Sequence, residues 1–165
     1  YSAHTNLDSA WEGVSHEIAH MLNIGNLKVL EPRQENPATG LGVIGDVQPT
    51  PRIEFLRRIK DTFKVKCLRY SSQSPQLVVR KAAVCGGSGA SLIKEAITKG
   101  ADIIITGDVK YHDFTTFGLD IIIADIGHFE SELCTKKILS RIIREKYPEF
   151  VTYFADSETN PVKYL

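Results

Sequence analysis

The 165-residue sequence predicts an α/β protein in which a mixed sheet is flanked by helices. Three observations lead there. The segments AAVC (82–85), IIIT (103–106) and IIIAD (121–125) are apolar at consecutive positions, as strands covered on both faces are. Each is followed by a short polar loop and then by apolar residues at helical spacing. The composition, 42% hydrophobic and 24% charged, is that of one globular domain with a substantial core.

Taken in order, residues 1–7 read as a short strand, with Asp8 or Ser9 placed to cap a helix over 10–22. Trp11, Val14, Ile18 and Leu22 form its apolar stripe. Gly25 marks a stop, 27–30 reads as a strand, and the polar, proline-containing stretch 31–40 as a loop. An apolar run over 41–47 predicts the next strand. Pro49 and Pro51 precede a helix over 52–63 whose stripe is Ile53, Leu56, Ile59 and Phe63. Strands are expected at 67–70 and 77–85, then helices at 91–99, 112–117 and 131–147, alternating with the strands 102–106 and 120–125. Residues 150–154 read as a last strand, and SETNPVKYL as a tail. The chain opens on Tyr1, directly into a strand-like segment, so an N-terminal part is expected to be missing and a sheet edge to be left prone to pairing.

Lys plus Arg and Asp plus Glu number 20 each, a balance that argues against bulk attraction to nucleic acid. The apolar runs are too short to span a bilayer, so no membrane is expected. Cys67, Cys85 and Cys134 are few, odd in number and widely spaced, which suits a reducing, cytoplasmic setting and small core residues rather than disulfides.

Ligands in open α/β sheets gather beyond the C-terminal ends of the strands. Those ends carry His4 and Asp8, then Gly86, Gly87, Ser88 and Gly89, then Asp108, Lys110, His112 and Asp113, and finally Asp125, His128, Glu130 and Glu132. His128 and Glu132 stand four apart at a helix start, so both can face one divalent ion; Zn, Mn, Fe and Co all suit such donors. The GGSG segment can present backbone N–H groups to a phosphate, with Lys110 as a nearby cation, or it can simply be a tight turn. His16-Glu17-Ile18-Ala19-His20 matches the zinc-protease pattern, but both histidines are expected opposite the apolar stripe, in solvent. Asn23 and Asn26 stand where the extended pattern needs Gly and His.

Four strings, SAHTNLD (2–8), AVCGGSG (83–89), TGDVKYHD (106–113) and GHFESE (127–132), occur in this order. Together they resemble the Nif-three-like family, dinuclear-metal, toroid-forming proteins called GTP cyclohydrolase 1 type 2 homologues. The resemblance implies a single domain over 1–165, without the family's N-terminal part and its optional inserted domain. It implies two divalent metal ions with Asp8, His128 and Glu132 among their ligands, although the family's upstream histidine pair has no counterpart here. His4 and His112 would then be proton-carrying neighbours, and Gly86, Gly87, Ser88, Gly89 and Lys110 would hold a phosphorylated or nucleotide-like ligand. A metal-dependent hydrolase is the implied activity, against a metal- or cofactor-handling protein without turnover or a partner-binding scaffold. The implied assembly is a hexamer built from dimers.

Overall fold

The computed structural model describes residues 4–165. One six-stranded sheet runs in the order β1-β2-β4-β5-β6-β3, with β1 (Gly25–Pro32), β2 (Gly40–Pro51), β3 (Arg69–Tyr70), β4 (Val78–Ser88), β5 (Ile103–Gly107) and β6 (Ile122–Asp125). β4, β5 and β6 are parallel; β1/β2, β2/β4 and β3/β6 are antiparallel, so the sheet is mixed as predicted.

Strand pleating explains why the central strands are apolar throughout. Ile103, Ile105, Ile122 and Ala124 point into one layer, with α2 (Val14–Met21), α3 (Arg52–Phe63) and α7 (Thr135–Lys146). Ile104, Ile123, Ala83 and Cys85 point into the opposite layer, against α4 (Ile93–Thr98) and Phe114 and Phe117 of α5 (Tyr111–Phe117). Each fully buried isoleucine contributes roughly 1.5–3 kcal/mol of hydrophobic free energy. The parallel crossovers through α4 and α5 bring the C-terminal ends of β4, β5 and β6 to one rim of the sheet.

Several expectations are corrected. The strand expected over 1–7 gives way from Thr5 to a one-turn helix, α1 (Thr5–Asp8); residues 1–3 lie outside the described residues. The turn closes locally: Asn6 Oδ1 accepts the His4 N–H at 2.9 Å, and His4 O accepts the Leu7 N–H at 2.8 Å. α2 starts only at Val14, after a turn with Glu12 at φ 61°, which leaves Trp11 56% exposed rather than in the core. In α3, Phe55 is buried where Ile53 was expected. β4 runs on through Gly86, Gly87 and Ser88, and a 3-10 turn (Ala90–Leu92) precedes α4. The long last helix divides into α6 (His128–Glu132) and α7. Residues 150–154 form no strand; Thr152 instead meets Ser140 at 2.7 Å and accepts from Arg144 at 3.0 Å, folding the chain back along α7. Cys85 and Cys134 are buried, which pushes their thiols up to about 12 and about 11, but Cys67 is exposed on the loop before β3.

The sheet edges are less bare than the sequence led us to expect. β3 is only two residues long, and Ser71 continues its work: its N–H donates to Ile123 O at 3.0 Å, and its hydroxyl bonds Ile123 N and Ile121 O at 2.8 and 3.1 Å. On the other edge, Lys99 Nζ donates to Leu30 O at 2.6 Å.

His16 is also corrected. It is buried at 5% exposure, 4.5 Å from the Trp11 ring between centroids, and its Nε2 has no hydrogen-bond partner. His20 is exposed, so the zinc-protease pair does not face one cleft. Burial, then His20, hold His16 below its ordinary value of 6.5 despite the Glu12 charge. The unfolded chain therefore takes up this proton first as pH falls. Stability from His16 is full above about 6.5 and declines below it, with a slope of at most about 1.4 kcal/mol per pH unit. His16→Leu is expected to lose this component; the check is the parent-minus-variant difference in unfolding free energy, measured from neutral pH downward.

Candidate metal centre

The rim formed by β4, β5 and β6 carries the site. α6 presents His128 and Glu132 on one face, with His128 Nε2 3.3 Å from Glu132 Oε1. His128 Nδ1 lies 2.6 Å from Asp108 Oδ2, at the end of β5. Both ring nitrogens face a carboxylate, which only accepts; Asp108 is the closer, so in the neutral ring the proton is favoured on Nδ1 and the lone pair on Nε2. The Asp108 hydrogen bond holds the His128 ring above its ordinary pKa; desolvation opposes this, while Glu132, the Asp108 charge and Asp8 reinforce it.

Asp8, on α1, belongs to the same electrostatic neighbourhood. Burial raises its carboxyl above the ordinary carboxylate range and Glu132 adds to this, while His4 and His128 pull it down. His4 is exposed beside it. Among the described residues, no group of three or more His, Cys, Asp or Glu side chains is close enough together to hold a metal ion. The His128–Glu132 pair fits a divalent cation nonetheless: 3.3 Å is about the separation of two ligands on one tetrahedral ion with bonds of roughly 2.0–2.2 Å.

Gly87 makes the pair's geometry possible. It adopts φ +63°, and a Cβ there would lie 2.5 Å from Glu132 Oε1 and 3.5 Å from His128 Cε1. Its N–H donates to Ser131 Oγ at 2.8 Å, and the Ser131 hydroxyl donates to His128 O at 2.7 Å, fastening α6 to β4. Gly86 N–H donates to Ser15 Oγ at 3.3 Å and Gly89 N–H to Thr106 Oγ1 at 2.8 Å. The donors expected to cradle a phosphate are thus engaged inside the fold, and the GGSG segment serves here as close packing for α6 and α2. Ser88 is paired with Gly107 across the sheet.

A cavity of about 660 Å³ opens beside the pair. Asp108, Asp125, Glu130, Glu132 and Glu158 give it five carboxylates against the cations Arg69 and Lys136. Phe129, Leu133, Pro161, Val162 and Tyr164 supply an apolar side. The tail is drawn across by a Lys136–Glu158 ion pair and by Asn160 Nδ2, which donates to Glu130 Oε1 at 2.7 Å. Lys110 and His112 are not among the lining residues. Lys110 sits at the N-terminal cap of α5, and His112 lies edge-on to the Tyr111 ring.

The sequence matches the family model Duf34/NIF3 (NGG1p interacting factor 3) over residues 1–161. The chain belongs to the Duf34/NIF3 family. It is 33% identical over 172 residues to a GTP cyclohydrolase 1 type 2 homolog of Streptococcus pneumoniae, covering 100% of this chain and 64% of the relative. A protein of the same description from Clostridium perfringens is 32% identical, with the same shares covered. The chain thus spans a little under two thirds of the length of these relatives. The fold is that of a Bacillus cereus protein related to NIF3, with a TM-score of 0.85 over 100% of this chain and 73% of that one, at 20% identity.

Within this Duf34/NIF3 domain, Asp108 was legible as one of the strand-end acids, but its bond to His128 was not. Asp125 was legible too, but its ion pair with Arg69 in the cavity wall was not. Three strand-end acids and histidines in successive loops were the available signal; Arg69, on a two-residue edge strand, gave none.

Proposed function

We propose that this Duf34/NIF3 domain supplies Asp8, His128 and Glu132 to a dinuclear centre of a metal-dependent hydrolase. The observation that supports it most is the Asp108–His128–Glu132 chain. Asp108 fixes the Nδ1–H tautomer, and Nε2 is left 3.3 Å from a carboxylate oxygen. Two divalent ions, whether Zn, Mn, Fe or Co, would supply an activated water and stabilise charge developing on the substrate. Asp108 orients His128, and with Asp125 and Glu158 paired to Arg69 and Lys136 the remaining carboxylates leave the wall acidic, which favours cations. Neither histidine considered for proton transfer lines the cavity, but His4 acts on the Asp8 charge and His112 does not. His4 is therefore our proton carrier. A nucleotide-like substrate is taken from the relatives' description, and assembly as a hexamer built from dimers from the family resemblance.

The engaged N–H groups of Gly86, Gly87 and Gly89 favour a second reading, a metal- or cofactor-handling protein without turnover. Elemental analysis of metal per chain tests the first step. Metal is expected in the parent and lost in Asp8→Ala and Glu132→Ala; variants with unchanged metal, or a parent and an N-terminally extended chain that both bind none, would overturn the centre. Release of product from GTP, abolished by a chelator, separates the hydrolase from the handling protein.

A further inference from the structure

The two loops that carry Asp108 and His128 are tied together by one buried carboxylate. Asp125, 3% exposed at the end of β6, accepts the Val109 N–H on Oδ2 at 3.0 Å and the Gly127 N–H on Oδ1 at 2.9 Å. Its Oδ2 is also paired with the Arg69 guanidinium. Arg69 donates in turn to Val109 O at 2.8 Å, and its guanidinium stands 5.6 Å from the centre of the Phe114 ring. Both backbone polar groups of Val109, the residue after Asp108, are therefore held by this ion pair. So is the N–H of Gly127, the residue before His128.

We propose that Asp125 and Arg69 are positioning residues of the metal centre, setting the approach of Asp108 to His128 and through it the tautomer of the His128 ring. Asp108 sits at φ 55°, a left-handed conformation that costs a non-glycine residue and persists where surrounding contacts enforce it, while Gly127 at φ 86° takes a conformation that suits glycine. The Asp125 carboxylate provides that enforcement from both sides at once. Stability alone is a poor reason for the pair, because the Arg69 side chain is 55% exposed and an ion pair open to solvent contributes little. Its value here lies in geometry: two N–H groups and one guanidinium converge on a single carboxylate, and no apolar side chain can reproduce this.

The proposal rests on the metal-centre reading for its purpose but not for its test. In the metal-free protein at alkaline pH, the ¹⁵N shifts of the His128 ring report which nitrogen holds the proton. The parent is expected to show one tautomer, with the proton on Nδ1. Asp125→Asn and Arg69→Gln are each expected to give a mixture, and to weaken zinc binding in a competition assay by about 10- to 100-fold. An unchanged single tautomer in a folded variant overturns the proposal, whatever the loss in stability. Should Asp125→Asn fail to fold, the partly exposed Arg69→Gln decides. Should the parent and an N-terminally extended chain both bind no zinc, the metal-centre reading falls, while the tautomer still decides the positioning role.

Discussion

Gly87→Ala is expected to damage the fold and the site in one step. The left-handed conformation at φ +63° costs an alanine roughly 1–2 kcal/mol. In a domain of this size that lowers the melting temperature by about 2–4 °C per kcal/mol. The steric conflict falls elsewhere. The new methyl would stand 2.5 Å from Glu132 Oε1, and the carboxylate, at the end of a partly exposed side chain, can swing away. Moving it relieves the clash but breaks its 3.3 Å approach to His128. Metal affinity is therefore expected to fall by about 10- to 100-fold, well beyond what the stability loss explains. Thermal unfolding of the metal-free protein and zinc competition, run side by side, check both parts; parent-like affinity in the variant would remove Glu132 from the centre.

Asp108→Gly is expected to separate the two effects instead of joining them. At φ 55° the glycine relieves the backbone, while its greater freedom in the unfolded chain costs roughly 0.5–1 kcal/mol. The net change in stability should stay within about 1 kcal/mol. The carboxylate that fixes His128 Nδ1 is gone, however, and losing such a partner weakens metal binding by about 10- to 100-fold. Stability near the parent's with affinity far below it is the expected signature, read by denaturant unfolding and the same zinc competition. Unchanged affinity would mean that the ring is oriented by something other than Asp108.

The central strands were legible because burial on both faces leaves only apolar residues, and Ile103 to Ile105 need no partner to be recognised. Helix α3 was legible from its apolar stripe and from Pro51 before it, whereas the left-handed stop at Lys64 left no mark in the sequence. Local turn chemistry defeated the reading at the N-terminus: the Asn6 and His4 bonds that close α1 leave no periodic trace. His16 misled because helical spacing measures angle, not what packs on that face; α2 touches both β4 and α7, so its buried arc is wide. The GGSG segment read equally well as a cradle or as a turn, and only its bonds to Ser15, Ser131 and Thr106 tell the two apart. His128 and Glu132 were legible as a pair from their spacing. Their union with Asp108 was not, because it joins residues 20 apart across the β5–α5–β6 crossover.

The serine beside β6 has a consequence for how copies of the molecule meet. An outer strand with free amides and carbonyls is a template on which another chain can grow, and the rim of this sheet next to His128 and Glu132 would be a damaging place for it. Ser71 occupies the Ile123 amide and the Ile121 carbonyl with one hydroxyl, and its own amide takes the Ile123 carbonyl. Lys99 places a charge over Leu30 at the far border. Strand addition is thus hindered beside β6, where β3 is short and Ser71 fills the next bonds, and at Leu30 alone on β1.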